Sequence, residues 1–157
     1  MIKIGIITVS DRSFKKERED LSGLLIHKMV KKLGQVIDYR IVPDEKTVIS
    51  QNIKDMIDKL KVDLVLTTGG TGLSPRDVTP EATAEVIEKI LPGFSEIMRL
   101  KGFEKTPHAL LSRAIAGVRG KSLVINLPGS PKAVEESLEL ILPAIPHALE
   151  VIKGLPE

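Results

Sequence analysis

Apolar residues run almost unbroken through residues 3–9, 63–68 and 122–127, and each run stops abruptly at polar or glycine-rich sequence. Short continuous runs rich in Ile, Val and Leu suit strands buried on both faces of a parallel sheet. A further strand is expected at residues 36–42. Between these runs the spacing changes. Leu21, Leu24, Leu25, Val30 and Leu33, with Met29 loosely among them, recur at helical intervals, behind Asp20 as a cap and ahead of Gly34 as a stop. Ile49, Ile53, Met56, Ile57 and Leu60 make a second helical stripe. Thr79-Pro80-Glu81 reads as a cap, a first-turn proline and an acidic first turn, opening a helix that reaches Leu91 before Pro92-Gly93 breaks it. Shorter helical stretches are expected at residues 94–100 and 107–116. Ser130-Pro131 opens a long final helix that Pro143 and Pro146 must kink or divide. The alternation predicts an α/β fold: one domain over residues 1–157, with a mostly parallel, doubly wound sheet and helices on both faces.

Composition narrows the function classes. The chain has 157 residues, 42% hydrophobic and 28% charged, with 23 Lys and Arg against 21 Asp and Glu. A formal charge of +2, evenly spread, and 3% aromatic residues with no Trp argue against a nucleic-acid partner. The absence of Cys removes thiol nucleophiles, thiolate metal sites and disulfides. No apolar run approaches the ~18 residues of a membrane span, and the start MIKIGIITVSDRS enters a strand pattern directly, so a cytoplasmic protein without a membrane partner is expected.

In an open parallel sheet, ligands bind beyond the carboxyl ends of the strands. Four segments fall there: Ser10-Asp11-Arg12-Ser13, Pro43-Asp44-Glu45-Lys46, the run from Thr67 through Gly69-Gly70-Thr71-Gly72 to Arg76-Asp77, and Pro128-Gly129-Ser130-Pro131. Together they offer glycine turns, hydroxyls, carboxylates and cations, the equipment for holding phosphates with a divalent ion. The glycine run is neither a Walker A loop nor a dinucleotide fingerprint. Its backbone N–H groups can nonetheless wrap an anion, and Gly70 and Gly72 are expected to need positive φ and close ligand approach. Asp44 and Asp77 are a pair suited to Mg²⁺, which takes one or two carboxylates and completes its shell with waters and substrate phosphates. Arg12 and Arg76 are the best-placed phosphate partners. Asp77 and Asp44 could instead be turn acids, with Thr79 the better helix cap. His27, His108 and His147 are too scattered for a zinc site or a catalytic triad.

Five segments together resemble the molybdopterin adenylyltransferase family of the MogA/MoaB type: Thr8-Val9-Ser10-Asp11-Arg12, Thr67-Thr68-Gly69-Gly70-Thr71-Gly72, residues 76–83 (Arg-Asp-Val-Thr-Pro-Glu-Ala-Thr), Leu111-Ser112-Arg113-Ala114, and residues 126–133 (Asn-Leu-Pro-Gly-Ser-Pro-Lys-Ala). The resemblance covers essentially the whole chain. It implies transfer of AMP from ATP to molybdopterin with Mg²⁺, releasing pyrophosphate, in molybdenum cofactor synthesis. It also places the two essential acids, which are the expected Mg²⁺ ligands, on Asp44 and Asp77. Ser112 and Asn126 match positions that help bind nucleotide or pterin. The glycine loop and the Gly129-Ser130 turn match the phosphate surroundings. A homotrimer is implied too, in keeping with an apolar C-terminal segment over residues 138–152, and the downstream metal-insertion protein is a further expected partner. Two alternatives stand beside this: a binding protein that carries molybdopterin without adenylylating it, and a metal-dependent nucleotide pyrophosphatase of the competence-damage type.

Overall fold

The computed structural model describes residues 1–155. Its strands are β1 (Ile2–Val9), β2 (Gly34–Val42), β3 (Leu64–Thr68), β4 (Lys89–Ile90), β5 (Ala116–Arg119) and β6 (Ser122–Leu127), forming one sheet in the order β2-β1-β3-β6-β5-β4. The first four in that order are parallel, while β5 and β4 continue the sheet antiparallel. The helices are α1 (Asp11–Phe14), α2 (Leu21–Met29), α3 (Lys46–Lys54), α4 (Thr79–Val86), α5 (Pro92–Phe103), α6 (Pro131–Ile141) and α7 (Ile145–Ile152).

Both faces of the sheet are covered, which is why the central strands read as continuous apolar runs. Ile4, Ile6, Leu64, Leu66, Leu123 and Ile125 point to one face and pack with Ile26 of α2, Met98 of α5 and Leu138, Ile145 and Leu149 of the last two helices. The residues between them, Ile7, Val65 and Val124, face the other way and meet Ile49 and Ile53 of α3 and Ala82 and Val86 of α4. The predicted α/β class with a doubly wound sheet is therefore the observed one.

Several boundaries differ from the sequence pattern. The stripe through Leu60 splits into α3 and a wider π-type turn over Asp55–Lys59. That turn seats Met56 over Gly5, where an added Cβ would lie 2.5 Å from the Met56 sulfur. The helix expected to reach Leu91 ends at Val86, because Ile87 turns extended and the chain pairs with β5 instead, Glu88 N–H donating to the Val118 carbonyl at 2.7 Å. Residues 107–116 are not one helix: Thr106 caps a single 3₁₀ stretch, Pro107–Leu111, and Ala116 already belongs to β5. The last helix divides at a 3₁₀ turn over Leu142–Ala144, as the prolines require. Leu138, Ile141, Leu142, Ile145 and Leu149 are all buried in the chain's own core, which accounts for most of the apolar richness of residues 138–152, while Leu140 and Val151 stay exposed.

Candidate active site

The parallel strands β1, β2, β3 and β6 bring their carboxyl ends to one edge, and a cleft of about 600 Å³ opens there. Asp44 and Asp77 both line it, with Ser10, Asp11 and Arg12 from the β1 end, Gly69 and Gly70 from the β3 end, and Gly129 and Ser130 from the β6 end. Ser10 is the N-cap of α1, accepting from Ser13 N–H at 3.1 Å. Ser130 caps α6 in the same way. The glycine turn is a conformational necessity at two positions: Gly69 and Gly70 have φ of +96° and +69°. A Cβ on Gly69 would strike the Val9 carbonyl, and one on Gly70 would strike the Thr79 hydroxyl and come within 3.2 Å of Asp44 Oδ1. Gly72 does not have positive φ, contrary to expectation; its missing side chain leaves room for Asp77, whose Oδ2 would sit 2.9 Å from an added Cβ.

The acids are tied by reciprocal backbone bonds. Asp11 N–H donates to Asp44 Oδ2 at 2.8 Å, and Asp44 N–H donates to Asp11 Oδ1 at 3.0 Å. Burial pushes the Asp44 carboxyl above the usual carboxylate range; the Asp11 and Asp77 charges add to that, against the opposing Asp11 N–H and Arg76. Asp77 accepts from Ser74 N–H at 3.1 Å. Asp44 and Asp77 thus each commit one carboxylate oxygen to a backbone N–H, and neither carboxylate has another hydrogen-bond partner among the described residues. Those remaining oxygens form an all-oxygen donor pair that fits Mg²⁺. Among the described residues no group of three or more His, Asp or Glu converges on a metal position, so an ion here would draw its other ligands from substrate and water.

Thr79 is not the cap of α4. Its hydroxyl donates to the Gly69 carbonyl at 2.9 Å and its N–H to the Gly70 carbonyl at 3.1 Å, so it fastens the glycine turn to the helix start. Thr71, Gly72 and Arg76 lie away from the cleft wall, and Arg76 aims its guanidinium at Asp11. Asn126 is fully buried inside β6 and is not on the cleft wall; its amide NH₂ donates to the Thr67 and Thr83 hydroxyls at 2.9 Å and its amide oxygen accepts from Ile115 N–H at 3.2 Å. It braces β3, α4 and β6 beneath the site rather than reaching a ligand. Ser112 lines a second cleft of about 500 Å³, together with Arg99, Lys101, Lys105 and His108. Ser95 also lines this second cleft, and its buried hydroxyl has no hydrogen-bond partner among the described residues. The two clefts meet at Ser130.

One wall of the first cleft and one clamp behind it were not legible in the sequence. Residues 18–22 form one wall, because a helix following β1 in a parallel sheet must begin at the carboxyl edge. There Asp20 caps α2 through Gly23 N–H at 3.0 Å and also accepts from the hydroxyls of Thr8, at 2.6 Å, and Tyr39. Burial and the neighbouring Asp20 raise the Tyr39 phenol above its ordinary pKa. The clamp is Arg113, which stands in the segment Leu111-Ser112-Arg113-Ala114 but with a role its position did not suggest. It donates to the carbonyls of Gly72 and Asp77, both at 2.8 Å, and to the Glu81 carboxylate at 2.6 Å, clamping the whole loop that carries Asp77.

A family described as "probable molybdopterin binding domain" matches residues 5–147. The molybdopterin adenylyltransferase of Helicobacter pylori strain J99 is 47% identical over 156 residues, covering 98% of this chain and 89% of that protein. The chain belongs to the molybdopterin adenylyltransferase family of the MogA/MoaB type. Solved structures of the family share its fold throughout. The molybdopterin biosynthesis enzyme MoaB of Thermus thermophilus is 50% identical with a TM-score of 0.91, covering 99% of both chains. The tungsten cofactor synthesizing protein MoaB of Pyrococcus furiosus is 40% identical with a TM-score of 0.86, covering 97% of both. Among the described residues no helix is long and apolar enough to cross a membrane.

Proposed function

We propose that this chain is a nucleotidyltransferase of molybdenum cofactor synthesis, moving AMP from ATP to molybdopterin with Mg²⁺ and releasing pyrophosphate. The observation that carries the reading is the pair Asp44 and Asp77 on one cleft, beyond the carboxyl ends of a parallel sheet, beside a glycine turn. Charge supports the need for the ion. Asp11, Glu19, Asp20, Asp44 and Asp77 line this cleft against Arg12 and Arg18, and a wall so acidic repels a bare triphosphate. Asp44 and Asp77 would hold the Mg²⁺, which screens the negative charge on the triphosphate and on the departing pyrophosphate.

The protein's own part is binding and orientation. Gly69 and Gly70 present bare backbone to a phosphate, and the N-termini of α2 and α6 add their positive ends at Leu21, Ser22 and Ser130. A terminal phosphate oxygen of molybdopterin forms the new bond to the α-phosphorus of ATP as the α–β bridging bond breaks in line. That oxygen is already ionised at neutral pH, so no general base is required, in keeping with the absence of a His from the first cleft. Two clefts meeting at Ser130 suit a substrate pair that becomes one two-headed product. The proposal includes the homotrimer implied by the resemblance.

Asp77→Asn keeps the shape of the side chain and removes the charge. Adenylyl transfer should fall roughly a hundredfold or more, since an ion of this kind supplies several kcal/mol at the transition state. Molybdopterin affinity and melting temperature should stay near wild type. Asp44→Asn should behave alike, and the double variant should be little worse than either single one, because both acids act through one ion. Near-normal transfer by folded Asp77→Asn contradicts the reading, and pterin binding without transfer in the wild type favours a carrier.

A further inference from the structure

We propose that Asp11 and Arg76 are positioning residues, forming a latch that sets the separation of Asp44 and Asp77. The inference rests on the reading above and concerns how the acid pair is held. Asp44 follows β2 and Asp77 sits in the loop between β3 and α4, yet β2 and β3 are not neighbours, since β1 lies between them. Their spacing is therefore not fixed by a shared ladder of backbone bonds. Nor does any hydrogen bond among the described residues join Asp44 directly to the Asp77 loop.

The connection runs through Asp11. Its backbone N–H and its Oδ1 exchange bonds with Asp44 at 2.8 and 3.0 Å, so the turn after β2 is clasped to the turn after β1. The same carboxylate receives the Arg76 guanidinium, Nε to Oδ2 and Nη2 to Oδ1, both at 3.0 Å. Arg76 is the residue next to Asp77, and the far side of Asp77 is pinned by Arg113 on its carbonyl and by Ser74 N–H on its carboxylate. The chain of contacts is thus Asp44, Asp11, Arg76, Asp77. A two-pronged guanidinium–carboxylate contact fixes direction as well as distance, which a lysine cannot reproduce. The Arg76 side chain is 57% exposed, so the pair contributes little to stability. Its geometric role is the larger one. A guanidinium occupied in this way is also not a free phosphate partner, which is the role its sequence position suggested.

The test uses Asp11→Asn, Arg76→Lys, Arg76→Gln and the double variant Asp11→Asn with Arg76→Gln. Melting temperature, steady-state adenylyl transfer over a Mg²⁺ titration, and Mn²⁺ binding by water-proton relaxation are measured for each. The latch predicts near-wild-type melting, a turnover loss of roughly ten- to a hundredfold from misplaced acids, a higher Mg²⁺ concentration for half-maximal rate, and weaker Mn²⁺ binding in every single variant. The double variant should match the worse single, because either change opens the same latch. An increase in the KM for ATP confined to the Arg76 variants, with Asp11→Asn unaffected, overturns the latch in favour of direct phosphate contact. Unchanged Mn²⁺ binding in all of them also overturns it. A wild type that binds Mn²⁺ but transfers no AMP defeats the proposed reaction and leaves the latch to be judged on Mn²⁺ binding alone, whereas a wild type that binds no Mn²⁺ overturns both.

Discussion

Glycines 70 and 72, two residues apart, lack a side chain for different reasons. Gly70 is required by its backbone, with φ of +69° and the Thr79 hydroxyl where a Cβ would be. Gly72 is required by the acid beside it. Gly70→Ala should therefore lower both stability and transfer, the first by about 1–2 kcal/mol for a forced left-handed residue. Gly72→Ala should leave the melting temperature nearly unchanged and still depress transfer, by displacing the Asp77 carboxylate. Thermal unfolding and turnover on the same two preparations check this, and equal effects at both positions would contradict it. Asp44, Asp77, Ser10 and Ser130 were legible in the sequence because loop acids and hydroxyls after parallel strands must collect at one edge. Asn126 was misleading for the opposite reason: within a motif at the end of a strand it has the look of a ligand contact, yet the alternation of β6 turns its amide inward to Thr67 and Thr83. Arg113 stands in one of the segments that carry the family resemblance, but its clamp was not legible, since a guanidinium that binds carbonyls 36 and 41 residues away leaves no periodic trace.

Elements with strong burial were readable and edge elements were not. β1, β3 and β6 are apolar along nearly their whole length because both faces are covered. β4 has only Lys89 and Ile90, both exposed, and β5 is four residues with Gly117 inside it, too short for alternation to register. At the opposite end of the sheet from the cleft, Asp63 ties three elements together. Its carboxylate accepts from Lys3 N–H at 2.8 Å and pairs with Lys153 Nζ at 2.7 Å, joining β1, the start of β3 and the end of α7. Burial opposes ionisation of Asp63, but Lys153 and Lys3 outweigh it and hold the carboxyl below its ordinary value. A depressed folded-state value gives stability that is fully present above the unfolded value near 3.8 and is lost as pH falls through the folded one. Asp63→Asn should therefore cost stability at pH 7 and narrow its gap to wild type as pH drops below about 4. Urea unfolding at both pH values checks the sign, and a gap that widens in acid contradicts it.

Assembly and chemistry belong to the folded chain as a unit. The proposed homotrimer needs an apolar surface beyond the chain's own core; Leu100, Phe103, Leu110 and Leu111 are exposed on α5 and the 3₁₀ stretch that follows, and Leu140 and Val151 on the last two helices. Sedimentation equilibrium at micromolar concentration should return three times the 17.2 kDa of one chain. A monomer under those conditions contradicts the trimer without touching the site. Whether AMP is transferred at the Asp44 and Asp77 cleft is decided by pyrophosphate release on mixing the protein with ATP and Mg²⁺. The prediction is release that requires molybdopterin, stops when the divalent ion is chelated, and matches adenylylated molybdopterin mole for mole. Pyrophosphate released at the same rate without molybdopterin, or none released with it, would contradict adenylyl transfer at this cleft.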